Sequence, residues 1–539
     1  MAYQYQGDPS KQQSPYGNYP PPPPPPQFAD NGYNSNYQYP MNQYPPPQQY
    51  GNQGGGYGPQ PLMNPFEAGA PAPPPPPQAS MGPDQKFNPK PRYQDLWATI
   101  LFVLHLAAFI ALAALSIPKG VQKNENNRDG ERSDPSSDPL KRHQNNAIIV
   151  MVLSIVTALV LSFIYLLLVQ RFAKIMIKVT LGLSVLFHIA VAVYFIVVLK
   201  SYIVGALSLL FALIYAFCAW SWRHRIPFAT IMLQTVCGVT RKYGGTMAVA
   251  GGGLLLTVAW SVLFVLTLLG IGNKQVCEVG SPNSSATYGL FVAALFSFYW
   301  TTQVIRNTVH TTISGVFGVF YFLTGTTQMP SGSVTLSSLK RACTTAFGSI
   351  CFGSLIIAIV KLIRALLRTA MDNSDGVMAF VACIAVCILA CIEDLLEYFT
   401  HYAFTQVAVY GKSFCTAAKD TWTMIKDRGV EAIINDNLIG NVLGIGSLLI
   451  GFLNAIIALA IIAAVKVEII NEGGLVLWLL LVAAFVIGLA MMSTAGGVIE
   501  SGTATTFVCL AEDPMALART QPELFERIRR TYPNVIQGV

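Results

Sequence analysis

Charge is scarce in this chain. Only 11% of its 539 residues are Asp, Glu, Lys or Arg, where a soluble globular protein carries about 25%. Together with 53% hydrophobic residues, that shortage excludes an ordinary water-soluble domain. It leaves an all-α polytopic membrane protein. Catalytic constellations are missing too. The sequence holds no glycine-rich phosphate loop ending in Lys-Ser/Thr, no Gly-x-Ser-x-Gly elbow and no His-Glu-x-x-His helix. An enzyme has nothing to rest on, and no cofactor or resident metal is implied. No Arg-rich helix suggests voltage sensing, and no selectivity-filter pattern occurs. The first residues lack a basic patch with a short apolar core, so the first apolar helix is expected to do the targeting.

A disulfide framework is also absent. Of ten cysteines, only Cys277 falls in a loop expected outside, and one external thiol has no internal partner. Cys383, Cys387 and Cys391 share a helix face at i, i+4, i+8. Thiolate metal binding and simple apolar packing are the two readings of that face, and packing is the simpler one.

What is present starts with residues 1–93, made of Pro, Gln, Tyr, Asn and Gly. Pro20–Pro26 and Pro73–Pro77 are unbroken proline runs. Such a segment buries too little apolar surface to fold, and is expected to be a disordered cytosolic tail. It offers polyproline stretches to SH3-type or WW-type domains, or serves as a solubilising tail.

Apolar runs then predict ten transmembrane helices within residues 94–513. They lie at about Leu96–Ile117, Ala147–Leu168, Val179–Leu199, Ile203–Trp220, Thr246–Ile271, Tyr288–Phe322, Ala342–Ile363, Val377–Phe399, Leu438–Val465 and Val476–Ile499. Ile226–Tyr243 is too short and polar to span, and reads as an amphipathic elbow on the inner surface. Residues 514–539 form a basic cytosolic tail. Lys and Arg cluster after the second and fourth spans and within Tyr402–Asn437, which puts both termini in the cytosol. The first loop carries six bases and five acids, and the end of the seventh span carries Lys361, Arg364 and Arg368. Both depart from that trend. The three bases either snorkel to headgroups or meet a ligand or external acids. Asn283-Ser284-Ser285 is a glycosylation sequon in an expected external loop.

The sixth run is the unusual one. Gln303, Asn307, His310 and Ser314 fall at i, i+4, i+7 and i+11, one stripe of a helix, with Arg306 beside it. Either this face looks at protein or a water-filled path, or its lower part has left the membrane for the headgroup region. Glu393, Asp394 and Glu397 end the eighth run. His401 continues the Glu393–Glu397 face; an acidic metal site is one reading, and bridging to Arg306, Lys340 or Arg341 on the same inner side is the simpler one.

A carrier binds its solute near the midplane. Trp97, Trp220, Trp222 and Trp478 sit at span ends, and Trp422 is expected in the cytosol. Trp260 and Trp300 lie mid-span in consecutive helices, with Phe296 and Tyr299 beside Trp300. Aromatic faces suit a quaternary ammonium by cation–π attraction; core packing is the alternative. No carboxylate is expected near the middle of a span, which favours facilitated diffusion over carboxylate-based proton coupling. The candidate substrate-binding residues are Trp260, Phe296, Tyr299, Trp300, Gln303, Ser349 and Ser354.

Three stretches carry a resemblance. Leu339–Leu366 reads LKRACTTAFGSICFGSLIIAIVKLIRAL, Tyr398–Ile425 reads YFTHYAFTQVAVYGKSFCTAAKDTWTMI, and Ser501–Asp513 reads SGTATTFVCLAED. In this order they resemble the choline-transporter-like family of membrane proteins, over about Leu96 to Asp513. The Pro-rich tail and the run Ile434–Asn437 (INDN) are most similar to its fungal branch. The resemblance implies ten helices with cytosolic termini. From animal members it implies transport of choline, and of ethanolamine in some. Animal relatives carry a large glycosylated, cysteine-containing first loop; here that loop is short, with neither cysteine nor sequon. In the shared motifs, Gly348, Ser349, Gly353 and Ser354 are expected to let a helix pack closely while offering hydroxyls. Tyr410-Gly411 and Phe414-Cys415 are expected to shape an elbow, and Glu512 and Asp513 to close an inner gate against basic loops. The leading expectation is a plasma-membrane carrier of choline or a related small organic cation. A non-transporting membrane scaffold or a lipid-handling protein are the alternatives.

Overall fold

The computed structural model describes residues 92–130, 144–272, 285–326, 329–372, 377–464 and 474–531. All of them belong to one unit, Pro77–Val539. The Pro-rich tail with its proposed SH3/WW contacts, and the sequon at Asn283, lie outside the described residues.

Among the described residues every regular element is a helix. In chain order they are α1 (Leu96–Gly130), α2 (Gln144–Val197), α3 (Tyr202–Trp222), α4 (Ile226–Lys242), α5 (Gly245–Gly272), α6 (Ser285–Leu323) and α7 (Val334–Cys343). Then follow α8 (Phe347–Asp372), α9 (Val377–Tyr410), α10 (Phe414–Ala464), α11 (Gly474–Glu512), α12 (Pro514–Thr520) and α13 (Pro522–Thr531). Eight of these contain segments long and apolar enough to cross a membrane. Large apolar side chains stand exposed on their outer faces, such as Ile203, Leu213 and Phe217 on α3 and Phe163 and Leu167 on α2. In water such stripes would be intolerable; in lipid they face hydrocarbon.

The second and third expected spans are fused. α2 runs through Arg171 and Lys174 as one element of 54 residues, broken only at Phe172 (φ −118°, ψ 29°). A straight helix would separate Tyr165 from Ser184 by ~28 Å. Yet Tyr165 donates to the Val442 carbonyl (2.7 Å) and Ser184 bonds the neighbouring Asn441 (3.3 Å). The rod is therefore bent sharply at Phe172, and its two halves act as separate crossings. Counting both halves and α9 accounts for the ten apolar runs.

α4 is the expected elbow, but it does not merely lie on a surface. Ile226, Phe228, Met232, Leu233 and Val236 are buried among α2 and α11. The motif glycines work by close approach. A Cβ on Gly353 would lie 2.4 Å from the Phe414 ring and 2.6 Å from that of Phe404. α8 thus packs directly on α9 and α10. The Tyr410-Gly411 elbow is also present: Gly411 takes φ +65°, ending α9, and α10 begins at Phe414.

Candidate functional site

The polar stripe of α6 is enclosed by protein. Gln303, Asn307, His310 and Ser314 are all buried, so this face looks at protein and not at lipid. Its neighbours are α5, α8, α9 and α11, and between them lies a cavity of about 560 Å³. That is within the ~300–1,000 Å³ typical of ligand pockets. Thr257, Gln303, Arg306, His310, Lys361, His401, Ser493 and Glu500 contribute to its wall. Most of these residues stand near the midpoints of their helices.

Several wall groups are fixed. Asn307 Nδ2 donates to Ser354 Oγ at 2.9 Å. His310 Nε2 lies 2.8 Å from the His401 carbonyl, which can only accept, so that nitrogen carries the hydrogen. His310 Nδ1 lies 2.8 Å from Ser501 Oγ, and the His310 and His401 rings stack with centroids 3.8 Å apart. Behind them Tyr402 donates to the Asp436 carboxylate.

Charge is concentrated here. Lys361 bridges Glu397 at 2.7 Å and Glu393 at 3.7 Å; Arg364 bridges Glu393 at 2.6 Å; Arg306 bridges Glu397 at 3.3 Å. Gln303 Nε2 donates to Glu397 at 3.2 Å. These contacts correct the expectation that the two sets of charges stand apart, on opposite sides: Lys361 and Arg364 meet Glu393 and Glu397 directly. Antiparallel packing of α8 on α9 brings them to one depth, and Glu393 is at the middle of α9. A carboxylate therefore stands at the midpoint of a helix, in an element that is not among the eight apolar enough to cross a membrane. Of the bridges expected for these acids, only that to Arg306 appears among the described ion pairs.

Glu500 differs from the other carboxylates. It stands on α11, exposed to the cavity. Among the described residues its carboxylate has no hydrogen-bond or ion-pair partner.

The candidate aromatic residues are divided. Contacts of Gly253 with Val309 and of Phe264 with Phe298 run antiparallel, which puts Trp260 and Trp300 at similar depth. They face different surroundings. Trp300 is 1% exposed. Its Nε1 donates to the Cys351 carbonyl at 3.1 Å, and its ring meets Phe102, His105 and Phe296 at 5.2, 4.7 and 5.5 Å. Tyr299 joins the same cluster. Trp260 packs on Phe109 at 4.9 Å in another cluster. Phe102, His105 and Phe109 stand at i, i+3 and i+7, so one face of α1 serves both tryptophans. Of the seven candidate residues, Gln303 alone lines the cavity. Both motif serines are engaged: Ser354 accepts from Asn307, and Ser349 donates to Asp95 Oδ2 at 2.6 Å.

Sequence reasoning passed over Glu500 and His105, and took His401 only as a continuation of the Glu393–Glu397 face. Glu500 follows Ile499, the boundary drawn for the last span, and carried no spacing that linked it to another chemical group. The two residues expected at an inner gate make these contacts. Asp513 caps α12, accepting from Ala516 N at 3.0 Å, and Glu512 accepts from Gln406. Cys383, Cys387 and Cys391 stand exposed on α9.

With this geometry in view, the comparisons are informative. The family model described as plasma-membrane choline transporter matches residues 206–515. The chain belongs to the choline transporter-like family. Within that family, the protein PNS1 of Mycosarcoma maydis is 36% identical over 464 residues, covering 84% of this chain and 86% of the relative. PNS1 of Neurospora crassa is 34% identical over 526 residues, covering 95% and 94%. The pns1 protein of Aspergillus fumigatus is 35% identical over 477 residues, covering 86% and 88%. These relatives place the chain in the fungal branch of the choline transporter-like family.

Proposed function

We propose that this multi-pass membrane transporter carries choline or a related small organic cation across the plasma membrane, with both termini in the cytosol. The observation that carries the reading is Glu500: a carboxylate without a protein partner, exposed to a cavity at mid-helix depth. The paired charges around it, Glu393 and Glu397 against Arg306, Lys361 and Arg364, leave one cation in excess. Glu500 brings this group of charges to neutrality, and it alone among these carboxylates has no hydrogen-bond or ion-pair partner among the described residues, which leaves it open to a solute cation. The family description, plasma-membrane choline transporter, supports the same solute class.

In this reading Glu500 attracts the cation and Gln303 contacts it. Phe296, Tyr299 and Trp300, one to two turns back along α6, form the aromatic wall of its path, with Trp260 at the same depth on α5. Ser349 and Ser354 hold α8 in place beside it.

The test is uptake of labelled choline by cells expressing the chain, competed by unlabelled choline or by dimethylbutanol, its uncharged isostere. The expected result is saturable uptake that choline suppresses and dimethylbutanol does not. Equal competition by both would remove the charge requirement and with it the role of Glu500. In the same assay, Trp300→Phe keeps most of the packing but weakens cation–π attraction by about 0.5–1 kcal/mol. It is expected to raise KM about two- to fivefold at unchanged surface level. An unchanged KM would take the aromatic wall out of the path.

A further inference from the structure

A second cavity, of about 270 Å³, lies on the other side of α11 at Ile499. Its body is apolar, formed by Phe163, Leu166 and Leu167 of α2 and Met247 of α5. Gln170, Thr240 and Arg241 line it too. The Thr240 hydroxyl, 4% exposed, has no hydrogen-bond partner among the described residues. Arg241 is exposed, and no ion pair engages it among the described residues. Exposed basic residues adjoin it in sequence on both walls: Lys242 after Arg241, and Arg171 and Lys174 after Gln170. Gln170 Nε2 lies 3.6 Å from where a Cβ on Gly238 would stand, so the two walls close on each other there.

We infer that this cavity is a binding site for an anionic glycerophospholipid, with an acyl chain among Phe163, Leu166 and Leu167 and the phosphate on Arg241. The chemistry sorts by position. Apolar residues continue the lipid-facing surface of α2 inward, and an alkyl chain fills such a slot without polar cost. A phosphate at its rim finds a guanidinium that can bind it in bidentate fashion, with Lys242 and Arg171 adding to the field. The Thr240 hydroxyl then has an ester or phosphate oxygen to meet. A free phosphate ion would use the basic rim but leave the slot empty. A neutral lipid would fill the slot but leave the rim unanswered. The site is separate from the Glu500 cavity, and its test does not depend on what the protein transports.

The experiment is native mass spectrometry of the full chain released from nanodiscs holding equimolar phosphatidylserine and phosphatidylcholine. The wild type is expected to retain phosphatidylserine preferentially. Arg241→Gln, at an exposed position, is expected to cut that preference about fivefold, as loss of about 1 kcal/mol per basic group near a lipid surface implies. Arg241→Lys keeps most of it. Gly244→Phe, built where a Cβ meets nothing within 4 Å, is expected to reduce retention of both lipids by filling the slot. Soluble glycerophosphoserine, which has no chains, is expected not to displace the retained lipid. Equal retention of the two lipids by the wild type would overturn the proposal. So would an undiminished preference in Arg241→Gln, or displacement by glycerophosphoserine.

Discussion

Glu500→Gln lowers kcat/KM for choline uptake by about 10- to 150-fold while leaving the amount of protein at the cell surface unchanged. The magnitude follows from the chemistry of the replacement. Glutamine keeps the size and hydrogen-bonding reach of the side chain and removes only its charge. A charge-assisted contact contributes about 1.5–3 kcal/mol, and each 1.36 kcal/mol is a factor of ten. Surface level is spared because no described residue depends on this carboxylate for a hydrogen bond or ion pair. Glu500→Asp retains the charge on a shorter stem and is expected to fall between the two. Measured initial rates over a range of choline concentrations, normalised to surface protein, check this. A Gln variant with wild-type kinetics would remove Glu500 from the solute path.

The second large effect concerns folding. Glu393→Leu strips Arg364 of its 2.6 Å partner and leaves Lys361 with Glu397 alone. The Glu393 side chain is 11% exposed and that of Arg364 34%, so the guanidinium loses its counter-charge but keeps part of its contact with water. Breaking a fully buried pair from one side costs about 3–5 kcal/mol, and an exposed pair contributes about 0–1 kcal/mol; this half-open pair is expected between the two. Replacing both members by apolar residues is often neutral or better, because no charge is then stranded. Glu393→Leu is therefore expected to lower the melting temperature and the yield of folded, monodisperse protein after detergent extraction. The double variant Glu393→Leu with Arg364→Leu is expected to recover most of that loss. Size-exclusion profiles and melting temperatures of the wild type, both single variants and the double variant form the cycle that checks this. A Glu393→Leu protein as stable as the wild type would mean that water in the cavity already solvates the network.

The apolar runs, the stripe at Gln303, Asn307, His310 and Ser314, and the close packing at Gly353 were legible because each is a one-dimensional pattern. Hydropathy gives length, and helical periodicity gives a face. The pairing of Lys361 with Glu397 was not legible. It depends on the register of two antiparallel helices, and the charges looked as if they belonged at opposite membrane faces. The fusion of two spans into α2 was hidden for a related reason. Arg171, Lys174 and Lys178 read as a basic loop, but basic residues are compatible with helix, and only the backbone at Phe172 departs from it. Trp260 and Trp300 were expected at similar depth and do stand level with each other, yet periodicity does not say which neighbour a face meets. His105, which sits on Trp300, comes from a helix 195 residues away in sequence. Glu500 was missed because an isolated carboxylate at the end of an apolar run looks like a boundary.

The most direct measurement is labelled choline uptake into liposomes containing the purified full chain, under an inside-negative potassium diffusion potential. Empty liposomes and the Glu500→Gln variant run in parallel. The account predicts saturable uptake by the wild type, faster at the larger potential and reduced at least tenfold in the variant. Wild-type uptake no greater than that of empty liposomes, with the protein folded and incorporated, would contradict it. Equal uptake by the two proteins would contradict the role given to the cavity.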